Sequence, residues 1–189
     1  MNMIQNKSLW LGAGLALLMA ATRMHHFGSG LHLPDASLAV FLLAGFFIAS
    51  PLLFAGLFVE AVALDYVAIT QLGVDNYCVT PAYWFLLPTY AVLWFAGRHV
   101  ARHHQDSLRG LGFFAAISLL AVNLAFVISN GSFYLLSGKF ADMSMAEYAS
   151  RMTQYYVPYV SGALIYLVPA VMLYALLARR PEAAATHAG

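Results

Sequence analysis

From Ala36 to Leu72 the chain is almost continuously apolar, and the dipeptide that interrupts it is Ser50-Pro51. As a single helix rising about 1.5 Å per residue, this run would be about 55 Å long, far more than the roughly 30 Å hydrocarbon core of a bilayer. Proline lacks the backbone N–H and suits the first turn of a new helix. The run therefore divides into two spans, 36–50 and 51–71, with a tight connection. Other apolar runs follow and precede it. The chain is 62% hydrophobic and only 9% charged, whereas a soluble domain carries roughly 25% charged residues. So much apolar surface does not fit inside one water-soluble core of 189 residues. The expected class is all-α: a polytopic membrane protein with a bundle of six transmembrane helices in a lipid bilayer.

The remaining spans fall at Leu9–Met24, Pro81–Gly97, Leu108–Ser129 and Glu147–Arg180. Lys7 before the run Leu9–Met19, with small Ala20 and Ala21 after it, imitates a signal peptide, but the spans that follow favour a retained first helix. Pro88 predicts a kink in the fourth span, and Pro158 and Pro169 predict bends in the last. The last span begins polar, at Glu147, Arg151 and Gln154, so its outer third is expected above the membrane or beside a cavity. Residues 1–180 read as a single domain, and 181–189 as a disordered cytoplasmic tail.

Six spans place Lys7, Arg98, Arg102, Arg109, Arg179 and Arg180 on one side, and Arg23, Lys139 and Arg151 on the other. That obeys the positive-inside rule with both termini cytoplasmic. A net charge of +1 argues against nucleic acid as a partner.

The outward loops then hold the unusual polar groups. The first carries Arg23, His25, His26 and His32. The second, Leu72 to Trp84, reads L-G-V-D-N-Y-C-V-T-P-A-Y-W and contains the single cysteine, Cys78. One thiol makes no internal disulfide, which leaves an apolar filler, a reactive thiol or a metal ligand. The third loop, Asn130–Ala146, leads to Arg151, Gln154, Tyr155 and Tyr156. Asp65 lies about six residues, near 9 Å, below the outer end of its span. An ionisable group there needs a cavity or a partner, and Arg151 is the expected one; a purely structural bridge to Arg151 or His26 is the plainer alternative. Glu60, nearer mid-membrane, reads as structural, either a protonated carboxyl hydrogen-bonded to a neighbouring helix or one reaching the inner surface, with a proton relay as the alternative.

A bis-histidine haem needs ligands at one depth on different helices, and the histidines fall instead into an outer loop and an inner group, His99, His103 and His104. A metal site on His25, His26 and His32 is incomplete without Cys78 or Asp65. Gly12, Ala16 and Ala20 form a small-xxx-small stripe, suited to internal packing or to docking another membrane subunit. No P-loop is present, so no nucleotide is expected.

The His-His-Phe-Gly loop after the first span, Asp65 in the third and Y-C-V-T-P-A-Y-W opening the fourth resemble the BtuM family of bacterial cobalamin (vitamin B12) transporters. These are similar to the substrate-binding S-components of energy-coupling-factor (ECF) transporters. The resemblance covers nearly the whole chain. It implies cobalamin uptake across the cytoplasmic (inner) membrane, with the corrinoid in a vestibule facing the periplasm. It further implies Cys78 as the axial thiolate on cobalt in a base-off complex, with decyanation of cyanocobalamin as a side reaction. His26, Asp65, Tyr83 and Arg151 match positions expected to contact the corrinoid. Tyr77, Phe133, Tyr134, Tyr155 and Tyr156 are expected to supply apolar walls. Transport would use either a borrowed ECF coupling module, docked on the Gly12, Ala16 and Ala20 face, or no module at all.

Three other readings stay open. One is a membrane enzyme with Cys78 as nucleophile and His26 as base. Another is a small divalent-metal permease using His25, His26, Asp65 and Cys78. The last is an assembly subunit in which Cys78 is replaceable.

Overall fold

The computed structural model describes residues 3–23, 33–103 and 107–178, with side chains over 7–23, 33–103 and 107–174. Among the described residues the architecture is all-helical, with six α-helices: α1 Met3–Arg23, α2 Ser37–Phe47, α3 Pro51–Gln71, α4 Leu86–His103, α5 Leu108–Leu136 and α6 Met145–Ala178. A 3₁₀ turn, Pro81–Phe85, leads into α4. Helices α3 and α5 and the Met145–Tyr174 part of α6 are long and apolar enough to cross a membrane. Only 17% of the most apolar stretch of α3 is buried inside the protein. Leu52, Val59 and Tyr66 stand exposed along it, an apolar face suited to lipid rather than water.

Ser50-Pro51 does break the long run. Ser50 accepts a hydrogen bond from the Leu53 amide and Pro51 opens α3. The amides of Ile48 and Ala49 both return to the Ala44 carbonyl, and Ala49 turns through φ 53°. The first half of the run is shorter than the expected 36–50 span. At about 1.5 Å per residue α2 is only about 17 Å long. It is also the most enclosed helix: Ser37 and every residue from Ala39 to Gly45 are buried. Helices α1, α3, α4 and α6 surround it, and α5 packs outside against α4 and α6. Phe41, Leu42, Met19, Leu57, Leu93 and Val122 fill the centre, and the Phe41 and Tyr90 rings stack with centroids 4.2 Å apart.

Other boundaries also differ from expectation: α1 begins at Met3 rather than Leu9, and α4 runs on to His103 past Gly97. The fourth helix starts at Leu86 because Pro81 begins a 3₁₀ turn, and Pro88 then lies in the first turn of α4, where its missing N–H leaves no intrahelical bond unmade. Helix α5 runs on to Leu136, so the connection expected to begin at Asn130 is much shorter. Asn130 bonds back to the Phe126 carbonyl within that helix. The last helix opens on a capping box, in which Ser144 donates its amide and hydroxyl to Glu147 and its Oγ accepts the Glu147 amide. It continues through Pro158 and Pro169. Residues 181–189, expected to be a disordered tail, lie outside the described residues.

The small-residue stripe on α1 is used internally at Gly12, which is buried with the Leu53 and Ile48 side chains beside it.

Candidate functional site

Helix α3 ends where Gly73 takes φ 69°, a left-handed turn that glycine makes without Cβ strain. The Leu72 and Val74 amides both reach the Ala68 carbonyl. The chain then forms a compact loop. Asp75 accepts the Tyr77 amide at 2.8 Å, an Asx turn. The Val79 amide bonds to the Asn76 carbonyl and the Thr80 amide to the Cys78 carbonyl. The loop is docked from outside: the Tyr77 ring lies 5.7 Å from the Phe133 ring, and the Lys139 ammonium sits 3.9 Å over Tyr77, a cation–π contact. This joins the α3–α4 connection to the end of α5 and to the α5–α6 connection.

Cys78 is unpaired and exposed on this loop. Its thiol pKa is raised above the ordinary value, first by the partial burial of sulfur, then by the negative charges of Asp65 and Asp75, with Lys139 opposing. The group is therefore a thiol at neutral pH, within electrostatic range of Asp65. Two residues on, the Thr80 hydroxyl is buried without a hydrogen-bond partner among the described residues.

Beneath the loop lies a network centred on Arg23, whose side chain is only 9% exposed. Its Nε donates to Asp65 Oδ1 at 2.7 Å and its Nη2 to Asp65 Oδ2 at 2.6 Å, a bidentate pair. Its Nη1 donates to the Tyr90 hydroxyl at 2.8 Å, to Ser37 Oγ at 2.9 Å and to Asp35 Oδ2 at 3.3 Å. The Tyr83 hydroxyl donates to Asp65 Oδ2 at 2.7 Å. Asp35 also accepts the Ser37 amide and hydroxyl. The guanidinium from α1 thus gathers Asp35 before α2, Ser37 on α2, Asp65 on α3 and Tyr90 on α4, and the 3₁₀ turn joins through Tyr83 on Asp65. The Tyr159 hydroxyl on α6 is also buried and has no hydrogen-bond partner among the described residues.

The expected partner of Asp65 is corrected here. Its cation is Arg23, because α1 ends beside α3 at this depth. Arg151 is exposed on α6 and forms no ion pair among the described residues. Asp65, Tyr83, Cys78 and Tyr77 lie together at one end of the bundle. Tyr155 is exposed on α6. The neighbouring Tyr156 donates to Asn123 at 2.6 Å, and Tyr134 is turned into an aromatic cluster with Phe140 and Tyr148. His25, His26 and His32 lie outside the described residues. Glu60 is half-buried on α3, and the hydrogen bond to a neighbouring helix expected for it is absent among the described residues.

Arg23, Asp35, Ser37 and Tyr90 were not singled out as one site by the sequence. The available signal was an arginine ending an apolar helix and two tyrosines, Tyr83 and Tyr90, seven residues apart, a spacing that returns to one helical face.

No protein-family model matches the chain, and no curated protein is found to be similar to it.

Proposed function

We propose that this chain binds a corrinoid, cobalamin or a close relative, at the end of the bundle that carries Cys78, and moves it across a bacterial cytoplasmic membrane. The observation that supports this most is an exposed, unpaired thiol on a pinned loop, directly above the Tyr83–Asp65–Arg23 network. In this reading the six helices cross the membrane with both termini cytoplasmic and Cys78 facing the periplasm, as in the BtuM family that the chain resembles.

A thiolate is a soft donor suited to a transition metal, and coordination removes its proton. Cys78 takes the lower axial position of cobalt, and the dimethylbenzimidazole base leaves it. The corrin rim carries amides. Thr80 Oγ1, the free lone pairs of Asp65 and the Tyr83 oxygen are hydrogen-bonding groups within the same corner. Tyr77 and Phe133 supply an apolar wall. Donation from sulfur weakens the opposite cobalt–carbon bond of cyanocobalamin, and cyanide departs with its electron pair. A module that couples ATP hydrolysis belongs to the proposal as a partner. The stripe expected to receive it is turned into the bundle at Gly12.

The test is the absorption spectrum of protein purified with cyanocobalamin, for the intact chain and for Cys78→Ala. The expected result is a bound corrinoid with a shifted, thiolate-type spectrum that the variant lacks. A copurified corrinoid with the same spectrum in both proteins would remove Cys78 from the metal. No corrinoid in either would end the proposal.

The raised thiol pKa adds a second expectation. Ligation must release the Cys78 proton, so apparent affinity should rise with pH, by about tenfold per unit, until the pH reaches the thiol pKa. Titration of the intact protein with cobinamide, which has no base to displace, reads this directly. A flat profile from about pH 6 to about pH 8 would mean that no thiolate binds cobalt.

A further inference from the structure

We infer that the corner between α4 and α5, at the end of the bundle opposite Cys78, is a binding site for a phosphate-type oxyanion. An open pocket of about 420 Å³ lies there, lined by His99, His103, Arg109, Gly110 and Phe113. His99 and His103 stand one turn apart on α4 with ring centroids 4.5 Å apart, so both imidazoles present to one place. Phe113 walls the pocket, its ring 5.8 Å from that of His99 and 6.4 Å from that of His103. The Nδ1–H of His103 donates to the His99 carbonyl at 2.9 Å. That bond orients the ring and leaves Nε2 as its free group. Arg109 adds an exposed guanidinium from α5, with a fork geometry that matches a phosphate.

Charge selects the ligand. Among the described residues, the titratable groups lining the pocket are His99 and His103 from α4 and Arg109 from α5, with no carboxylate beside them. A histidine pair one turn apart can also chelate a transition metal, but the neighbouring Arg109 guanidinium repels a dication. With Nδ1 committed to a carbonyl, His103 donates through Nε2 only as imidazolium, so an anion is bound together with a proton. A metal would instead need the neutral ring. Beside the basic groups, Leu108 is 81% and Leu111 44% exposed. A charged pocket flanked by bare leucines suits the phosphodiester of a membrane lipid, although free phosphate shares the chemistry.

The experiment is native mass spectrometry of the full chain in detergent, titrated with phosphatidylglycerol or phosphatidylcholine. Phosphatidylglycerol is expected to be retained preferentially, and more at low than at high pH. His103→Gln and Arg109→Gln should each weaken it about tenfold, the size of one charge-assisted hydrogen bond. All three side chains are exposed, and the unfolding temperature of each variant checks that the fold persists. Added inorganic phosphate separates the sources: displacement of the lipid makes free phosphate a ligand, and no displacement assigns the site to lipid. Equal retention of both lipids, indifferent to the two substitutions, would overturn the inference. So would zinc binding that strengthens with pH and is lost in His103→Gln while neither lipid nor phosphate binds.

Discussion

Arg23→Met should lower the stability of the folded chain by about 3–5 kcal/mol, the cost of breaking a buried ion pair by removing one partner. Methionine keeps much of the apolar stem, so the loss reports the guanidinium rather than packing. Asp65 would lose both of its short bonds to Arg23 and, among the described residues, keep the Tyr83 hydroxyl. Asp35 is better protected, because Ser37 still gives it an amide and a hydroxyl. Arg23→Lys should fall between the two, since an ammonium meets one oxygen where the guanidinium fork meets two. The double variant Arg23→Met/Asp65→Leu should recover most of the loss, because an apolar pair leaves no unmatched charge. Denaturant unfolding in detergent measures all three. A loss below about 0.5 kcal/mol for Arg23→Met, the range of an ordinary surface substitution, would show that the network does not hold the helices together. If the proposed function holds, the same substitution should also weaken corrinoid binding, because it frees the carboxylate that positions Tyr83 under the Cys78 loop.

The second large effect is expected where α2 crosses α4. A Cβ placed on Gly97 would overlap the Leu42 carbonyl and come within 2.7 Å of the Phe46 amide nitrogen, and one on Gly45 would overlap the Trp94 carbonyl. Both clashes are with backbone, which no rotamer change relieves. Glycine at these two places lets the helix backbones touch. Gly97→Ala should therefore cost more than the 1–3 kcal/mol, roughly, of ordinary overpacking, although alanine is the better helix former by about 1 kcal/mol. Gly56→Ala on α3 is the control. Nothing lies within 4 Å of its added Cβ, so only the propensity gain remains and stability should hold or rise. Thermal unfolding of the two variants side by side tests this. If Gly97→Ala melts with or above the intact protein, the close crossing is not the packing that holds α2 at the centre.

These two expectations mark where reading the sequence ended. Apolar runs, Ser50-Pro51 and the low charge content were enough for an all-helical bundle of membrane type, because hydrocarbon solvent leaves a chain few ways to satisfy its backbone. The same local signals placed the loop around Cys78 and the start of α3, where a serine cap and a proline act within one turn. Helix ends were less legible: Asn130 reads as a loop residue by composition, yet α5 runs past it to Leu136, with the Asn130 side chain bonded back one turn.

What the sequence left undetermined was which helices touch. Nothing local distinguishes α2, a short helix wrapped on all sides, from a span facing lipid, since both are apolar throughout. Nor does spacing along the chain say that Asp65 pairs with Arg23, 42 residues away, rather than with Arg151. Both arginines reach the same end of the bundle by depth alone. The choice between them is made by rotation of each helix about its axis, and that is set by tertiary packing. The close crossing at Gly45 and Gly97, the stacking of Phe41 on Tyr90, and the fit of α1 against α3 turn Arg23 inward and leave Arg151 outside.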